Sequence, residues 1–130
     1  MMMKMKLAEI DEKSLKNYII AVLKIKPMTP EKRILLAEKL KKSEKSDEKT
    51  KKILIENCLK MALSIAASYR GSGVTFAGLI RAANRGLIKG VYNWYKSKEE
   101  NFENYTAWNI EGAIIRKLIR GRKIAGNKKR

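Results

Sequence analysis

The run from Thr75 to Tyr95, TFAGLIRAANRGLIKGVYNWY, holds three glycines inside an apolar helical pattern. From Phe76 onward, Leu79, Ile80, Ala83, Leu87, Ile88 and Val91 recur at three- and four-residue steps, the signature of a helix with a buried face. Gly78, Gly86 and Gly90 follow one another at eight- and four-residue steps, nearly along one stripe. Each glycine costs a helix up to about 1 kcal/mol against alanine, because the backbone loses more freedom on folding. That cost is offset where a second helix must come closer than a side chain allows. The stripe predicts a central helix with another helix pressed onto it.

The neighbouring segments read as helices too. Lys52 to Tyr69 carries Ile53, Leu54, Ile55, Leu59, Met61, Ala62, Leu63, Ile65 and Ala66 on more than one face, so this helix is expected at the centre. Gly71-Ser72-Gly73 ends it, and Thr75 caps the glycine-bearing helix. Upstream, Ser14 to Ile25 carries Leu15, Tyr18, Ile19 and Leu23 at three- and four-residue steps and reads as a short amphipathic helix, halted by Pro27. Thr29-Pro30-Glu31 opens another, with Ile34, Leu35, Ala37 and Leu40 as its apolar face. Lys41 to Lys52 reads as a solvated loop and helix start, capped by Ser46 or Asp47.

Lys96 to Asn104 is a polar loop, after which Glu103 or Asn104 caps a last helix from Tyr105 to about Leu118 or Arg120. Gly121 is expected to stop it, leaving a disordered basic tail. No strand pattern, repeat or heptad series occurs. The expected fold is all-α, a compact bundle of four to five helices over residues 51–120, with a helical extension over 1–50 and a tail over 121–130.

Charge narrows the partners. Thirty Lys and Arg against thirteen Asp and Glu give +17, which points to nucleic acid or an anionic membrane. No acidic residue lies between Glu56 and Glu99 or after Glu111, so the polyanion surface belongs to the second half. A membrane-surface role is weak, because the basic residues are not paired with a solvent-facing apolar stripe. The chain has no histidine, no Cys or carboxylate cluster with ligand spacing, and a single cysteine, Cys58, in an apolar run. Cys58 reads as a core residue, and the expectation is a cytoplasmic, nucleoid-associated protein that is not an enzyme and binds no cofactor or metal.

Six of the nine aromatic residues fall between Tyr92 and Trp108: Tyr92, Trp94, Tyr95, Phe102, Tyr105 and Trp108. Arg116, Lys117, Arg120, Arg122 and Lys123 follow directly. Rings stack on unpaired bases and cations neutralise the phosphates between them, so this mixture suits a single-stranded nucleic acid. By composition alone, rings filling a helical core are the more common outcome.

The order of motifs settles the balance. ILIENCLKMALSIAASYRGSG, VTFAGLIRAANRGLIKGVYNW and NFENYTAWNIEGAIIRKLIR resemble region 2 of bacterial RNA polymerase sigma factors, without a gap from about Leu54 to Ile119. NYIIAVLKIKPMTPEKRILLAEKLKKS is similar to that family's region 1.2. The resemblance implies an initiation subunit that binds core polymerase through the clamp coiled coil of its largest subunit. It also implies melting of the minus-ten promoter element and capture of non-template bases. Tyr105 and Trp108 match the rings that wedge the melting point and enclose the first flipped adenine. Phe102 matches a family aromatic, Trp94 replaces a phenylalanine beside that pocket, and Lys98 and Arg116 match basic positions that hold the backbone; Lys117 and Arg120 are expected to hold phosphates with them. Asn109 and Gly112 occupy positions of a tryptophan and a duplex-reading glutamine, and Glu111 that of an arginine, which puts duplex readout in doubt. Cys58 replaces an asparagine near the second flipped base.

The implied polymerase face is GLIRAAN and its continuation: Leu79, Ile80, Arg81, Asn84, Arg85 and Ile88. Acidic residues of the family have become Gly78 and Ala82, and a glutamine has become Arg81, so an acidic patch has turned neutral to basic. A second reading follows, of a basic helical protein that coats nucleic acid without docking to polymerase. The chain ends soon after region 2, with no room for a domain reading the minus-thirty-five element. The sequence is thus expected to be a fragment, one half of a sigma factor completed by a second chain, or a mobile-element protein relying on minus-ten contacts.

Overall fold

A computed structural model describes residues 9–43 and 47–128, with side chains to Arg122. Six α-helices and one 3₁₀ turn make up the described chain, with no strand among the described residues. They are α1 (Leu15–Leu23), α2 (Pro30–Ser43), α3 (Glu48–Asn57), α4 (Leu59–Ala67), α5 (Phe76–Asn93), the 3₁₀ turn Trp94–Lys96, and α6 (Phe102–Lys128). The all-α expectation holds. The initial residues and Ser46 lie outside the described residues.

Local signals set most helix starts. Thr29 Oγ1 accepts from the Lys32 amide at 3.2 Å, Asp47 Oδ1 from Thr50 at 3.1 Å, and Thr75 Oγ1 from Gly78 at 3.1 Å. Each satisfies a backbone N–H that the first helical turn leaves unpaired. Gly71 and Gly73 adopt φ of 86° and 99°, the left-handed region that glycine enters without steric cost, and so they turn the chain between α4 and α5.

α5 is the axis of the fold. Ala77, Leu79, Ile80, Ala82, Ala83, Leu87 and Val91 are buried along it, and α6 lies against it over the longest contact in the protein. A Cβ placed on Gly86 would stand 2.5 Å from the Asn109 carbonyl oxygen and 3.0 Å from Ile110 Cα, both backbone atoms of α6. On Gly90 it would meet the Asn109 side chain at 3.2 Å. The predicted close approach is therefore made at Gly86 and Gly90. Gly78 does not share it: its near neighbours are Val74 Cγ1 at 3.0 Å and Thr75 Oγ1 at 3.1 Å, the chain just before its own helix. On α6 the facing seam is Phe102, Thr106, Ile110 and Ile114, all buried at four-residue steps.

One apolar cluster joins Ile10, Tyr18, Val22, Ala37 and Leu40 from the first third with the helices of the second half. Three polar ties fix that joint. Asn84 Nδ2 donates to the Tyr18 hydroxyl at 3.0 Å in the core, Trp94 Nε1 donates to the Ala37 carbonyl at 2.9 Å, and Arg33 forms an ion pair with Glu103.

Several boundaries depart from the sequence expectation. The single helix expected over Lys52–Tyr69 is two, joined at Cys58; α3 packs on α2 while α4 packs on α1, so the bend lets one apolar run serve two partners. The last helix begins at Phe102, not Tyr105, because Asn101 Oδ1 accepts the Asn104 amide at 2.9 Å and caps it. Gly121 does not end α6, which runs through it to Lys128 in place of the expected disordered tail. A glycine inside a helix lowers its stability but stops it only where a left-handed residue is needed. On α2, Ala37 and Leu40 are buried as expected, whereas Ile34 and Leu35 are exposed.

The central contact has a measurable consequence. Gly86→Ala is expected to destabilise the fold by about 1–3 kcal/mol, because rigid backbone atoms oppose the new methyl. Gly112→Ala, whose Cβ would meet only the Arg116 guanidinium at 3.4 Å, is expected to be neutral or stabilising by up to about 1 kcal/mol. Urea denaturation of the two variants decides whether the stripe or simple helix propensity governs.

Candidate nucleic-acid interface

The α5–α6 turn builds an aromatic step. Trp94 is buried, tied through its indole N–H to Ala37 and flanked by Lys41 Nζ 3.8 Å from its ring centroid. Phe102 meets it edge-on with centroids 5.3 Å apart and planes at 79°. Tyr105 leans on it at 5.2 Å and 50°, half-buried. Trp108 stands one turn further along α6, 71% exposed, opposite the Phe102–Ile114 seam. A large ring so placed has no share in the core. Tyr105 and Trp108, with Glu99 and Asn104, line a concavity of about 280 Å³.

The sequence-predicted residues divide by burial. Trp94 and Phe102 are inside and act on solvent only through Tyr105, which they support. Lys98, Arg116 and Arg120 are exposed, Lys117 half-buried. Asn109 is turned inward: its Nδ2 donates to the Tyr105 carbonyl at 2.8 Å and its side chain fills the space beside Gly90. Gly112 is half-buried under Arg116. Glu111, exposed, acts with partial burial to push the Tyr69 phenol up from its ordinary pKa, burial being the larger cause. Of the residues lining this concavity, Glu99 and Asn104 were not singled out in the sequence as site residues; their polar side chains in the loop and first turn carried no periodic signal.

The second set of predicted residues is split. Leu79, Ile80 and Asn84 are buried, Asn84 against Tyr18, so no partner reaches them in this arrangement. Only Arg85 is exposed; Ile88 and Arg81 are half-buried, and an Arg81 guanidinium N–H donates to the Ile10 carbonyl. The polar reach of this face is therefore basic. Cys58 is buried, and burial pushes its thiol up to about 12, which leaves it protonated and unreactive as a nucleophile. No described helix is long and apolar enough to cross a membrane.

The family model described as Sigma-70 region 2 matches residues 54–124, from the end of α3 through most of α6. The chain belongs to the sigma-70 family. Among curated relatives, it is 36% identical over 101 residues to the RNA polymerase sigma factor SigA of Clostridium acetobutylicum, covering 78% of this chain and 26% of that protein. It is 40% identical over 72 residues to the RNA polymerase sigma factor SigA of a Bacillus species, covering 55% of this chain and 19% of the relative. This sigma-family chain thus spans about a quarter or less of the length of these relatives.

The contrast between the two tryptophans is directly testable in the sigma chain. Trp94→Ala is expected to cost about 3–5 kcal/mol of stability, as for other buried large rings. Trp108→Ala is expected to change stability by less than about 0.5 kcal/mol, as for other exposed positions. Thermal unfolding followed by circular dichroism measures both.

Proposed function

We propose that this chain is a sigma-type initiation subunit that binds core RNA polymerase and captures unpaired non-template bases of the minus-ten element. Supporting this reading most directly is Trp108, a 71% exposed indole beside Tyr105 on a helix whose next turns carry exposed Arg116 and Arg120. Flipping a base costs a few kcal/mol, and each stacking ring returns about 1–3 kcal/mol, so two rings on one helix face suffice to hold it. Trp94 and Phe102 keep Tyr105 in place, while Lys98, Arg116, Lys117 and Arg120 hold phosphates. With Asn109 turned into the α5 contact and Gly112 lacking a side chain, duplex readout on this face is weak, and the site favours an unpaired strand.

Polymerase docking falls to Arg85, Arg81 and Ile88, the members of the predicted face with solvent-reaching atoms. A partner coiled coil that meets this surface carries acidic or neutral residues, since like charges across an interface cost several kcal/mol.

Two measurements test it. A-T-rich single-stranded oligonucleotides should bind at low salt and lose about tenfold or more in affinity with Trp108→Ala, at unchanged stability. Purified bacterial core polymerase should retain the chain, and Arg85→Glu should weaken that retention about tenfold. A folded chain that ignores core polymerase, and binds duplex and single strands alike with steep salt dependence, is instead a basic coating protein.

A further inference from the structure

Two rings of the aromatic run, Tyr92 and Tyr95, take no part in the Trp108 surface, and a row of cations stands in line with them. Arg81, Arg85 and Lys89 follow at four-residue steps along α5, Tyr92 comes next, and Tyr95 and Lys96 close the series on the 3₁₀ turn. Arg85, Lys89 and Lys96 are exposed, as are Tyr92 and Tyr95, at 39% and 42%. These three cations have no ion pair among the described residues. The sequence carries no acid between Glu56 and Glu99, so α5 brings none of its own.

Four helical residues rise about 6 Å and turn about 400°, so Arg85, Lys89 and Tyr92 share about 60° of the α5 surface. Gly86 and Gly90, which meet α6, each follow one of these cations by one residue, about 100° further round. The stripe therefore points sideways from the α5–α6 contact, whereas Trp108 points away from it on the far side of α6. The two surfaces are separate. Neighbouring elements trim the stripe without cancelling it. The Tyr92 hydroxyl donates to Glu48 Oε2 at 2.8 Å, while Lys51 Nζ lies 4.3 Å from the Tyr92 ring centroid and 3.7 Å from Glu48. The ring is thus held from α3, and the acid beside it is paired. At the other end Arg81 is half-buried on the carbonyl of Ile10, which Glu9 and Asp11 flank in the chain, so the basic part runs from Arg85 to Lys96.

We infer that this face of α5 is a second nucleic-acid surface, which holds the phosphates of a single strand on Arg85, Lys89 and Lys96 and stacks its bases on Tyr92 and Tyr95. Cations without a counter-ion in the protein are free to neutralise phosphates, and the strand's condensed counterions are released in exchange. Rings set among them favour an unpaired strand over a duplex. Lysine is depleted in protein interfaces, and a membrane site needs an apolar face that this stripe lacks. The inference goes beyond base capture and does not rest on it. Because Arg85 also belongs to the docking reading, strand and core polymerase compete for this face.

The test uses the 130-residue chain, a fluorescein-labelled thymine homopolymer and fluorescence anisotropy, with circular dichroism to check that each variant is folded. Trp108→Ala should leave residual binding, the share of the α5 face. Adding Arg85→Gln and Lys89→Gln to that background should lower the residual affinity about tenfold at low salt. It should also flatten the slope of log affinity against log salt by about 1.4, the value for two lost phosphate contacts on a single strand. Lys13→Gln with Lys16→Gln removes the same charge from exposed positions elsewhere and should cost less than about twofold. Tyr95→Ala should lose about fivefold or more with the slope unchanged. Equal losses from the two double variants make net charge the cause and overturn the inference. A folded Trp108→Ala chain that binds no strand overturns it too, and leaves base capture standing. Wild type and Trp108→Ala binding alike, with the loss from Arg85 and Lys89 intact, removes base capture and supports the α5 face. Strand binding untouched by Arg85→Gln and Lys89→Gln, with retention by core polymerase lost, assigns the face to an acidic protein surface and overturns the inference.

Discussion

The contact on which this structure depends is the meeting of α5 and α6 at Gly86. With hydrogen in place of a side chain, the Asn109 carbonyl and Ile110 Cα come within van der Waals reach of the α5 backbone. Backbones that close fix the rotation of each helix about its own axis, since only one stripe of α5 is bare enough. Once α6 presents Phe102, Thr106, Ile110 and Ile114 to that stripe, Trp108 is carried to the opposite side. The exposure of the ring that carries the functional reading is thus a consequence of a glycine on another helix.

A second layer of support comes from the first third of the chain. α2 accepts the Trp94 indole, places Lys41 over its ring and across to the Glu99 carbonyl, and sends Arg33 to Glu103. These ties brace both the ring behind Tyr105 and the loop before it. Exposed ion pairs contribute little to stability, but a buried indole with a satisfied N–H contributes a great deal through its area. The N-terminal segment also covers Asn84, through Tyr18 of α1, and part of Arg81, through the Ile10 carbonyl before α1, so the first third of the chain shapes two surfaces at once: it stiffens one and narrows the other.

Much of the fold was legible because its signals are local. Thr29, Asp47 and Thr75 cap helices as their side-chain chemistry dictates, and the two glycines at 71 and 73 turn the chain with positive φ. The bend at Cys58 was not legible, since the apolar pattern runs through it unbroken; it exists because α3 and α4 face different partners. The same holds for Ile34 and Leu35, which the helical period placed inward but which no neighbouring helix covers. In the candidate site, Tyr105 and Trp108 were identifiable as rings three residues apart, whereas Glu99 and Asn104, which line the same concavity, were not, because polar residues of a loop and a first helical turn carry no periodic signal.

The sequence by itself determined the all-α class, the family and the glycines at 86 and 90, all of which rest on residue order and on chemistry within a few positions. Tertiary structure alone decided which aromatic is core and which is surface. Trp94 and Trp108 are the same residue on adjoining elements; one is 3% exposed and the other 71%. It likewise decided that Asn109 serves the helix contact and that Leu79, Ile80 and Asn84 are interior. Burial is a property of what lies across from a side chain, and that partner comes from a distant part of the chain.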